Sequence, residues 1–326
     1  MKKLFLLIVC AVLGISANAR ELSIYCSAQG DIKASWGFTP YDINVPIKLR
    51  TTTNYGNYKF WSKNKLAEQP YKEVVFEYDQ CVKMQISIHY VGDDNNTKTY
   101  VTIPEDKTEF SVPIAEGRVP DEISVMGLGP VPPAKQGGSI INLTNAKLIA
   151  EDGTEVYPEE GDIKEANGYY WGYEILSANV FITAGWAQIG GAGWAPNMSD
   201  IDPSKPLTYH VELNEPSNLQ LAFVVKYNDG TADTQQYMPE GESSMTITVD
   251  DPSTVSYAFL RVQQDDADDY VNVKSIYYDD TATTGIEGIK TNDKTNDGAI
   301  YNLSGQRVSS DYKGVVIINN KKYIRK

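Results

Sequence analysis

The chain has 326 residues, with 29 lysines and arginines against 43 aspartates and glutamates, and its net charge is -14 at pH 7. A chain this acidic lacks the basic surface that a nucleic-acid backbone requires. Because the chain has only two histidines and three cysteines, most metal-dependent and thiol-dependent catalysis is excluded. Hydrophobic residues make up 41%, which is enough for folded cores, and the length indicates about two domains.

Residues 1–19 have the order of a secretory signal peptide. Two lysines are followed by a short apolar stretch, and Ala17-Asn18-Ala19 supplies the small residues of a cleavage site. The apolar stretch is too short for a membrane span, which needs about 20 residues. We therefore expect a protein that starts at Arg20 and is secreted or held at the outer cell surface. In that compartment, Cys26 and Cys81 either form a disulfide or remain two buried thiols.

Between residues 20 and 280, short runs of alternating apolar and polar residues are separated by Gly, Pro, Asn and Asp. Side chains of a β-strand alternate with a period of two residues, whereas no segment shows a long helical period. The pattern predicts an all-β fold of antiparallel β-sandwiches. The clearest strands are predicted at 74–78, 83–90, 99–103, 139–143, 209–213, 220–227, 245–249 and 255–262.

The two halves of this body share short motifs in the same order. The repeat is longer than the roughly 20–50 residues of a solenoid repeat, so it indicates two whole domains. We predict a first β-sandwich at 20–158 and a second at 159–281 that is an internal repeat of the first, each of jelly-roll size. The matched pairs are 30–33 with 161–164, 36–38 with 171–173, Trp61 with Trp194, 84–86 with 219–221, 110–112 with 247–249, and 141–143 with 271–273.

The C-terminal end reads as a separate piece. Residues 282–298 are rich in Thr, Asn, Asp and Gly and are typical of a linker, and residues 299–326 contain short strand-like runs that predict a small β domain. The runs YNLSGQRV at 301–308 and KGVVII at 313–318, with the basic end 321–326, resemble the C-terminal sorting domain (type A-like) of type IX secretion in Bacteroidota. The resemblance implies export to the cell surface or the medium, often with removal of the tail. The alternative is a small terminal β domain without a sorting role.

Aromatic residues at matched places in the two halves are the main candidate ligand-binding residues. An exposed indole or phenol ring offers a flat, rigid surface to the apolar faces of sugar rings. The predicted protein has a leader and two acidic β-sandwiches in tandem that are rich in Trp and Tyr. In this it resembles carbohydrate-binding modules of jelly-roll type, and the resemblance implies a polysaccharide ligand. The candidates are Trp186 and Trp194 in the glycine-rich stretch 185–196, and Tyr55, Tyr58 and Trp61 in the matching stretch 53–61. Trp36 and Trp171 suit a core position better.

Polar residues inside strands form a second set of candidates. Each is flanked by apolar residues, so its side chain points to the opposite face of its sheet. Amides and a guanidinium on such a face can hydrogen-bond sugar hydroxyls, and the alternative is an ordinary solvated face. The candidates are Gln85, Gln220, Arg261 and Asn272.

Paired aspartates follow several strands, and Asp279-Asp280 ends the last strand of the second half. Ca²⁺ takes six to eight oxygen ligands, so this pair is a candidate site for one structural calcium ion, with solvated turn residues as the alternative.

Catalysis is not expected, because a glycosidase needs two carboxylates at a defined separation and no such pair stands out. His89 and His210 lie in apolar strands, where a histidine is usually packed or at the surface.

The sequence thus predicts a secreted, non-catalytic polysaccharide-binding protein. Two copies of one module raise the avidity for a repeating polymer, because the second contact becomes intramolecular. No nucleic-acid partner and no membrane span are expected, and the protein would associate with the cell surface or with glycan-degrading enzymes. The alternatives are a cell-surface adhesin or structural module that binds protein without binding glycans, and a hydrolase whose site the sequence does not reveal.

Overall fold

In the computed structural model, the structure describes residues 20–28, 31–32, 43–53, 55–94, 96–128, 138–159, 172–190, 194–199 and 201–280, and, near the C-terminus, 300–302, 307–308, 314–318 and 321–325. The chain divides into two units, 1–282 and 283–326. Among the described residues, no helix has the length and apolar character that crossing a membrane requires. The sequence matches 30–33, 36–38 and 161–164 fall largely outside these residues, as do Trp36 and Trp171.

The strands of the first unit follow the predicted pattern. The chain starts with β1 (Arg20–Glu21), β2 (Tyr25–Ala28) and β3 (Asp31–Ile32). The first half continues with β4 (Ile43–Thr51), β5 (Asn57–Lys59), helix α1 (Lys63–Ala67), β6 (Tyr71–Val82), β7 (Met84–Tyr90), β8 (Thr99–Thr102), β9 (Glu109–Pro113), β10 (Pro120–Gly127), β11 (Ile140–Ala150) and β12 (Glu155–Val156). The second half contains β13 (Tyr173–Ile182), β14 (Gln188–Ile189), β15 (Leu207–Leu213), β16 (Leu221–Tyr227), β17 (Thr234–Tyr237), β18 (Ser244–Val249), a 3₁₀ turn (Pro252–Thr254), β19 (Val255–Val262) and β20 (Asp269–Asp279).

The two halves have the same topology. In the first, the strands are arranged as β9-β6-β11-β4 in one sheet and β5-β10-β7-β8 in the other; in the second, the equivalent orders are β18-β15-β20-β13 and β14-β19-β16-β17. Each copy is therefore an eight-stranded antiparallel sandwich with the strand order of a jelly roll. The predicted all-β class is confirmed, and both copies have their strands in the same order.

The copies are not separate bodies, because β4 of the first pairs antiparallel with β13 of the second. This pairing joins the four-stranded sheets that contain β4 and β13 into one, and β1, β2, β3 and β12 extend it to twelve strands. We call this the larger sheet, and the remaining four-stranded sheet of each copy its smaller sheet. β1 pairs with β20, and β2 pairs with β13. The sequence prediction assigned the chain from residue 20 to the first domain, whereas its first strands extend the sheet of the second copy.

Side chains of the second copy complete the core of the first. The Tyr173 ring is fully buried, and its hydroxyl lies 2.8 Å from the Gly56 carbonyl oxygen and 2.6 Å from that of Val125. Beside it, Arg50 and Glu174 form an ion pair across the seam at 2.6 Å. The contact therefore combines backbone pairing, aromatic burial and a charge pair.

The alternation of apolar and polar residues in the sequence explains which side chains of most strands are buried. In β15 and β18, every second residue is buried, as expected for a strand with one face on the core. β7 departs from this, because Gln85, Ser87 and His89 are buried as well as the apolar residues between them.

Cys81 is a buried free thiol, and burial raises its pKa to about 11. Cys26 lies in β2, of which the structure describes only the backbone.

The second unit holds the predicted small C-terminal β domain. β21 (Ile300–Asn302), β22 (Arg307–Val308), β23 (Gly314–Ile318) and β24 (Lys321–Arg325) form an antiparallel sheet in the order β22-β21-β23-β24. In the sequence, Ser304-Gly305 and Asn319-Asn320 supply turn residues between these strands, and both pairs lie outside the described residues. The sorting role that the sequence of this unit suggests stays a prediction.

Replacing Tyr173 with phenylalanine should lower the free energy of unfolding by about 1 kcal/mol, because one buried hydrogen bond across the seam is lost. Tyr100→Phe removes the same atom from an exposed ring and should change stability little. Urea unfolding of both variants measures the difference. Equal midpoints for the two variants would show that the Tyr173 hydroxyl does not stabilise the seam.

Candidate functional site

Matching hydrogen bonds define which residues of the two copies are equivalent. Gly127 N donates to Gly56 O, as Val262 N donates to Ala187 O. Leu128 N donates to Lys83 O, as Gln263 N donates to Gln220 O. The counterpart of Gln220 is therefore Lys83, and the sequence match of Gln220 with Gln85 is wrong by two residues. By the same alignment, Tyr55 and Trp186 are equivalent residues.

Tyr55 and Trp186 share an unusual conformation. Each precedes the second strand of its copy, with φ of 60° and 63° respectively, and the side chains are 53% and 39% exposed. The left-handed region is unfavourable for a bulky residue and costs about 1–3 kcal/mol, so it persists only where the surroundings hold it. Both copies thus hold an exposed aromatic ring at the same place, at a cost in backbone strain.

The Trp186 ring is fixed by its neighbours. A Cβ atom on Gly185 would lie 2.1 Å from the Asp265 carbonyl oxygen, so only glycine permits this close approach. The backbone N–H of Trp186 donates to Gln264 O at 3.2 Å, and its indole Nε1 donates to Asp265 Oδ1 at 2.9 Å. The ring is therefore held in one orientation before any ligand arrives.

Arg261 lies over the Trp186 ring, with its guanidinium carbon 5.4 Å from the ring centroid. Its Nε donates to Gln263 Oε1 at 2.9 Å, and one Nη donates to Gln235 Oε1 at 2.8 Å. We name Trp186, Gln235, Arg261, Gln263 and Asp265 the Trp186 surface. It combines a stacked cation and indole with amide groups, which is the chemistry of a site for a polar ligand with a flat face.

The Trp186 surface continues across the smaller sheet of the second copy. Arg261 pairs with Gln188 on one side and Ala222 on the other, and Ala222 pairs with the exposed Tyr237 on the edge strand β17. Neighbouring strands are about 4.8 Å apart, so this row spans roughly 14 Å from β14 to β17. The Ala222 side chain is fully buried, whereas Tyr237 is exposed at the far edge of the sheet.

The other predicted aromatic platforms are wrong, because these rings lie in the cores. Trp61 and Trp194 are 2% and 1% exposed; Trp61 packs on Phe76, and Trp194 stacks on Phe223. Tyr58 is fully buried, and its hydroxyl donates to Ile43 O at 2.9 Å. The repetition of the tryptophan in both copies reflects a shared packing requirement.

The polar strand residues that the sequence suggested as ligand-binding groups do not lie on one common surface. Gln85 is buried, with its amide 3.4 Å from the Met126 sulfur, so it faces no ligand. Gln220 is exposed beside the Trp186 surface, where its backbone N–H binds the Gln264 side chain at 3.0 Å. Asn272 lies in β20 of the larger sheet and accepts from Asn214 at 2.8 Å, so it is not part of this surface.

The aspartates proposed for calcium face different neighbours. Asp279 Oδ2 lies 3.4 Å from His210 Nε2, whereas Asp280 Oδ2 accepts from the backbone N–H of Asp202 at 2.8 Å. Asp280 Oδ1 is buried and has no hydrogen-bond partner within the part of the chain that the structure describes. The described residues contain no group of three or more His, Cys, Asp or Glu arranged for a metal ion. The two carboxylates have different neighbours, and the structural calcium at Asp279 and Asp280 stays a prediction.

Sequence reasoning missed Asp265, Gln235 and Gln263 as members of the Trp186 surface. Gln263 and Asp265 follow Arg261 closely in the chain, so their proximity could have been inferred from the short loop. Gln235 lies on β17, where all four residues are exposed and no alternation marks a strand. Its contact with Arg261 depends on strand pairing that the sequence does not show.

The equivalent face of the first copy carries a network of charges instead. His89 Nδ1 lies 2.5 Å from Asp121 Oδ1, and His89 Nε2 lies 3.1 Å from the Asp94 carbonyl oxygen. Both neighbours are acceptors, and only the imidazolium has a donor on each ring nitrogen. The hydrogen bond to Asp121, followed by that to Asp94, raises the pKa of His89. Lys63 contacts Asp121 at 3.3 Å, and Lys98 bonds the adjacent Glu122.

Burial alone would raise the pKa of Asp121, but its hydrogen bonds with His89 and Lys63 outweigh burial and lower that pKa. The raised pKa of His89 means that its stabilising contribution is complete below about pH 6.5 and is lost as pH rises through the pKa of the folded protein. The lowered pKa of Asp121 means that its contribution is lost only in acid. The pair therefore stabilises the protein most in weakly acidic solution.

Replacing His89 with glutamine should remove this pH dependence of the free energy of unfolding. We expect a loss of roughly 1.5–3 kcal/mol of unfolding free energy at pH 5.5 and a smaller loss at pH 8.5, because a hydrogen bond to a charged group contributes about that much. Chemical unfolding at both pH values measures it. Since glutamine keeps one donor, an equal loss at the two pH values would contradict a protonated His89.

Comparisons with known proteins add little to this description. No protein-family model matches the chain, and no curated protein matches its sequence significantly. Among solved structures, an oxalate decarboxylase from Bacillus subtilis, determined at pH 4.6, is aligned with 80% of this chain and 75% of its own at 8% identity, with a TM-score of 0.14. A similarity that weak carries no argument about fold or function.

Proposed function

We propose that this protein is an exported, non-catalytic polysaccharide-binding protein whose principal contact is the Trp186 surface of the second jelly roll. The observation that carries the proposal is the pair Tyr55 and Trp186, two exposed aromatic residues in the left-handed conformation at equivalent places in both copies. Strain that is retained twice at the surface, where packing does not require it, is typical of a binding site.

The geometry around Trp186 suits a sugar ring. The Trp186 residue remains 39% exposed beside the guanidinium that lies over its ring, and the amides of Gln235 and Gln263 lie next to that guanidinium. An aromatic surface bordered by hydrogen-bonding groups matches a ring that has apolar C–H faces and a polar edge. Exposed aromatic residues near both edges of this sheet, Trp186 and Tyr237, favour a chain of sugars over a single one.

Two copies in one unit support a polymeric ligand. When a polysaccharide contacts Trp186, its attachment to a second aromatic residue such as Tyr55 becomes intramolecular and raises the overall avidity. The two surfaces are not identical, because the position of Arg261 is occupied by Met126 in the first copy. The second copy is therefore the stronger binding module in this proposal.

Export belongs to the same proposal. The leader-like residues 1–19 and the C-terminal β unit, with its resemblance to a type IX sorting domain, would place the protein at the cell surface or in the medium. The alternative is an adhesin or structural module at the same location that binds another protein through these faces.

Replacing Trp186 with alanine should weaken polysaccharide binding by about 10-fold or more, because truncation of an aromatic anchor at a binding site costs about 2 kcal/mol. Affinity electrophoresis of the full chain in gels containing neutral polymers (xyloglucan, glucomannan, mixed-linkage glucan, xylan) and acidic polymers (polygalacturonate, alginate) provides the measurement. Tyr157→Ala is the matched control, since it removes an exposed ring outside the Trp186 surface.

Trp194→Ala is unsuitable as a control, because truncation of a buried tryptophan costs about 3–5 kcal/mol and would damage the core. Circular dichroism should show that Trp186→Ala and Tyr157→Ala remain folded. If no polymer retards the wild-type chain, or if both variants bind like wild type, glycan binding at Trp186 is wrong and the adhesin alternative takes its place.

A further inference from the structure

Arg261 differs from other arginines of the protein in its partners. Arg50 binds Glu174, and Arg118 binds Asp93, each at 2.6 Å. Within the described residues, Arg261 binds no carboxylate: its polar contacts are the neutral amide oxygens of Gln235 and Gln263. In a chain with 43 acidic against 29 basic residues, a guanidinium without an acid beside it is unexpected.

Two carboxylates, one beside β17 and one in the loop after β19, have partners of their own. Asp265 accepts from the indole of Trp186, and Asp233 pairs with Lys226 at 2.7 Å. Of the five N–H donors of a guanidinium, two are used by the glutamines, so the plane is held while the others are left for a ligand. The glutamines orient the cation without neutralising it.

We infer that the Trp186 surface binds an acidic polysaccharide, with the carboxylate of a uronic acid unit paired to Arg261 and its sugar ring against Trp186. This inference rests on the proposed function and names the class of its ligand. A guanidinium offers a planar pair of parallel donors that matches the two oxygens of a carboxylate, which favours a carboxylate over the tetrahedral oxygens of a sulfate.

The negative charge of the whole protein does not prevent this pairing. At physiological ionic strength, charges further apart than about 8 Å are largely screened, so the ligand responds mainly to the groups that it contacts. Arg261 is the cation in direct contact with Trp186, whereas Asp265 has its oxygen bonded to the indole N–H. The guanidinium therefore supplies a positive charge directly beside the ring.

The test compares acidic polymers with carboxyl-reduced forms of the same polymers, in which each carboxylate has become a hydroxymethyl group. Binding of the full chain to polygalacturonate and alginate is measured by affinity electrophoresis and calorimetry, before and after reduction. We expect reduction to weaken binding by about 10-fold or more, because a charge-assisted pair is lost. Arg261→Gln should cause a similar loss on the acidic polymer and little further loss on the reduced one.

Two variants separate geometry from charge. Arg261→Lys keeps the charge but loses the planar fork, so we expect binding between those of wild type and Arg261→Gln. Lys226→Gln removes a cation of the same sheet that already has its own acid, and it should bind acidic polymers within about 2-fold of wild type. Thermal unfolding of each variant establishes that the fold is retained.

The outcomes distinguish this inference from the proposed function. Equal binding of acidic and reduced polymers, lost in Trp186→Ala, would overturn the carboxylate inference and leave glycan binding in place. Tighter binding of a sulfated polymer through Arg261 would also overturn it. If neither acidic, reduced nor neutral polymers bind, the proposed function fails and this inference fails with it.

Discussion

The antiparallel pairing of β4 with β13 is the contact on which the arrangement of this protein depends. It turns two jelly rolls into one unit with a continuous sheet, and it brings Tyr173 of the second copy into the core of the first. A sandwich edge that pairs with its own duplicate no longer exposes a row of unpaired backbone groups. β1 and β2 add to the same sheet against β20 and β13, so the duplication also determines where the N-terminal strands lie.

Duplication explains both what the copies share and where they differ. The shared features are the strand order, a buried tryptophan after the second strand, and the left-handed aromatic residue before it. The difference lies on the outer faces of the smaller sheets. There the first copy has a network of ion pairs around Asp121 and Glu122, whereas the second has Arg261 between neutral amides. Charges that satisfy one another hold a surface together, whereas a cation with neutral partners keeps its charge unpaired, which is the basis of the proposed binding role.

Strand positions could be predicted from the sequence because a period of two residues is a local signal, and β15 and β18 show it most clearly. Whether an aromatic residue lies inside or outside is a tertiary property, and Trp194 and Trp186 illustrate the limit. Both occur in the same glycine-rich stretch, yet one stacks on Phe223 and the other is at the surface. The match of Gln85 with Gln220 failed for a related reason: short apolar and polar alternations align equally well when they are shifted by two residues. Only the hydrogen bonds of the strands resolve that shift.

The conformation of Trp186 links the fold to the proposed binding role. A left-handed tryptophan costs about 1–3 kcal/mol, and here that cost is offset by the bonds to Gln264 and Asp265 and by the contact with Arg261. These contacts also remove most of the freedom of the ring, so little further entropy would be lost when a ligand covers it. Because β19 and the loop after it supply both Arg261 and Asp265, the ring is held by the sheet itself. Its position therefore depends on the second jelly roll being intact. Truncation of the core residue Trp194 should disturb both stability and the position of Trp186, whereas truncation of Trp186 itself should leave the core in place.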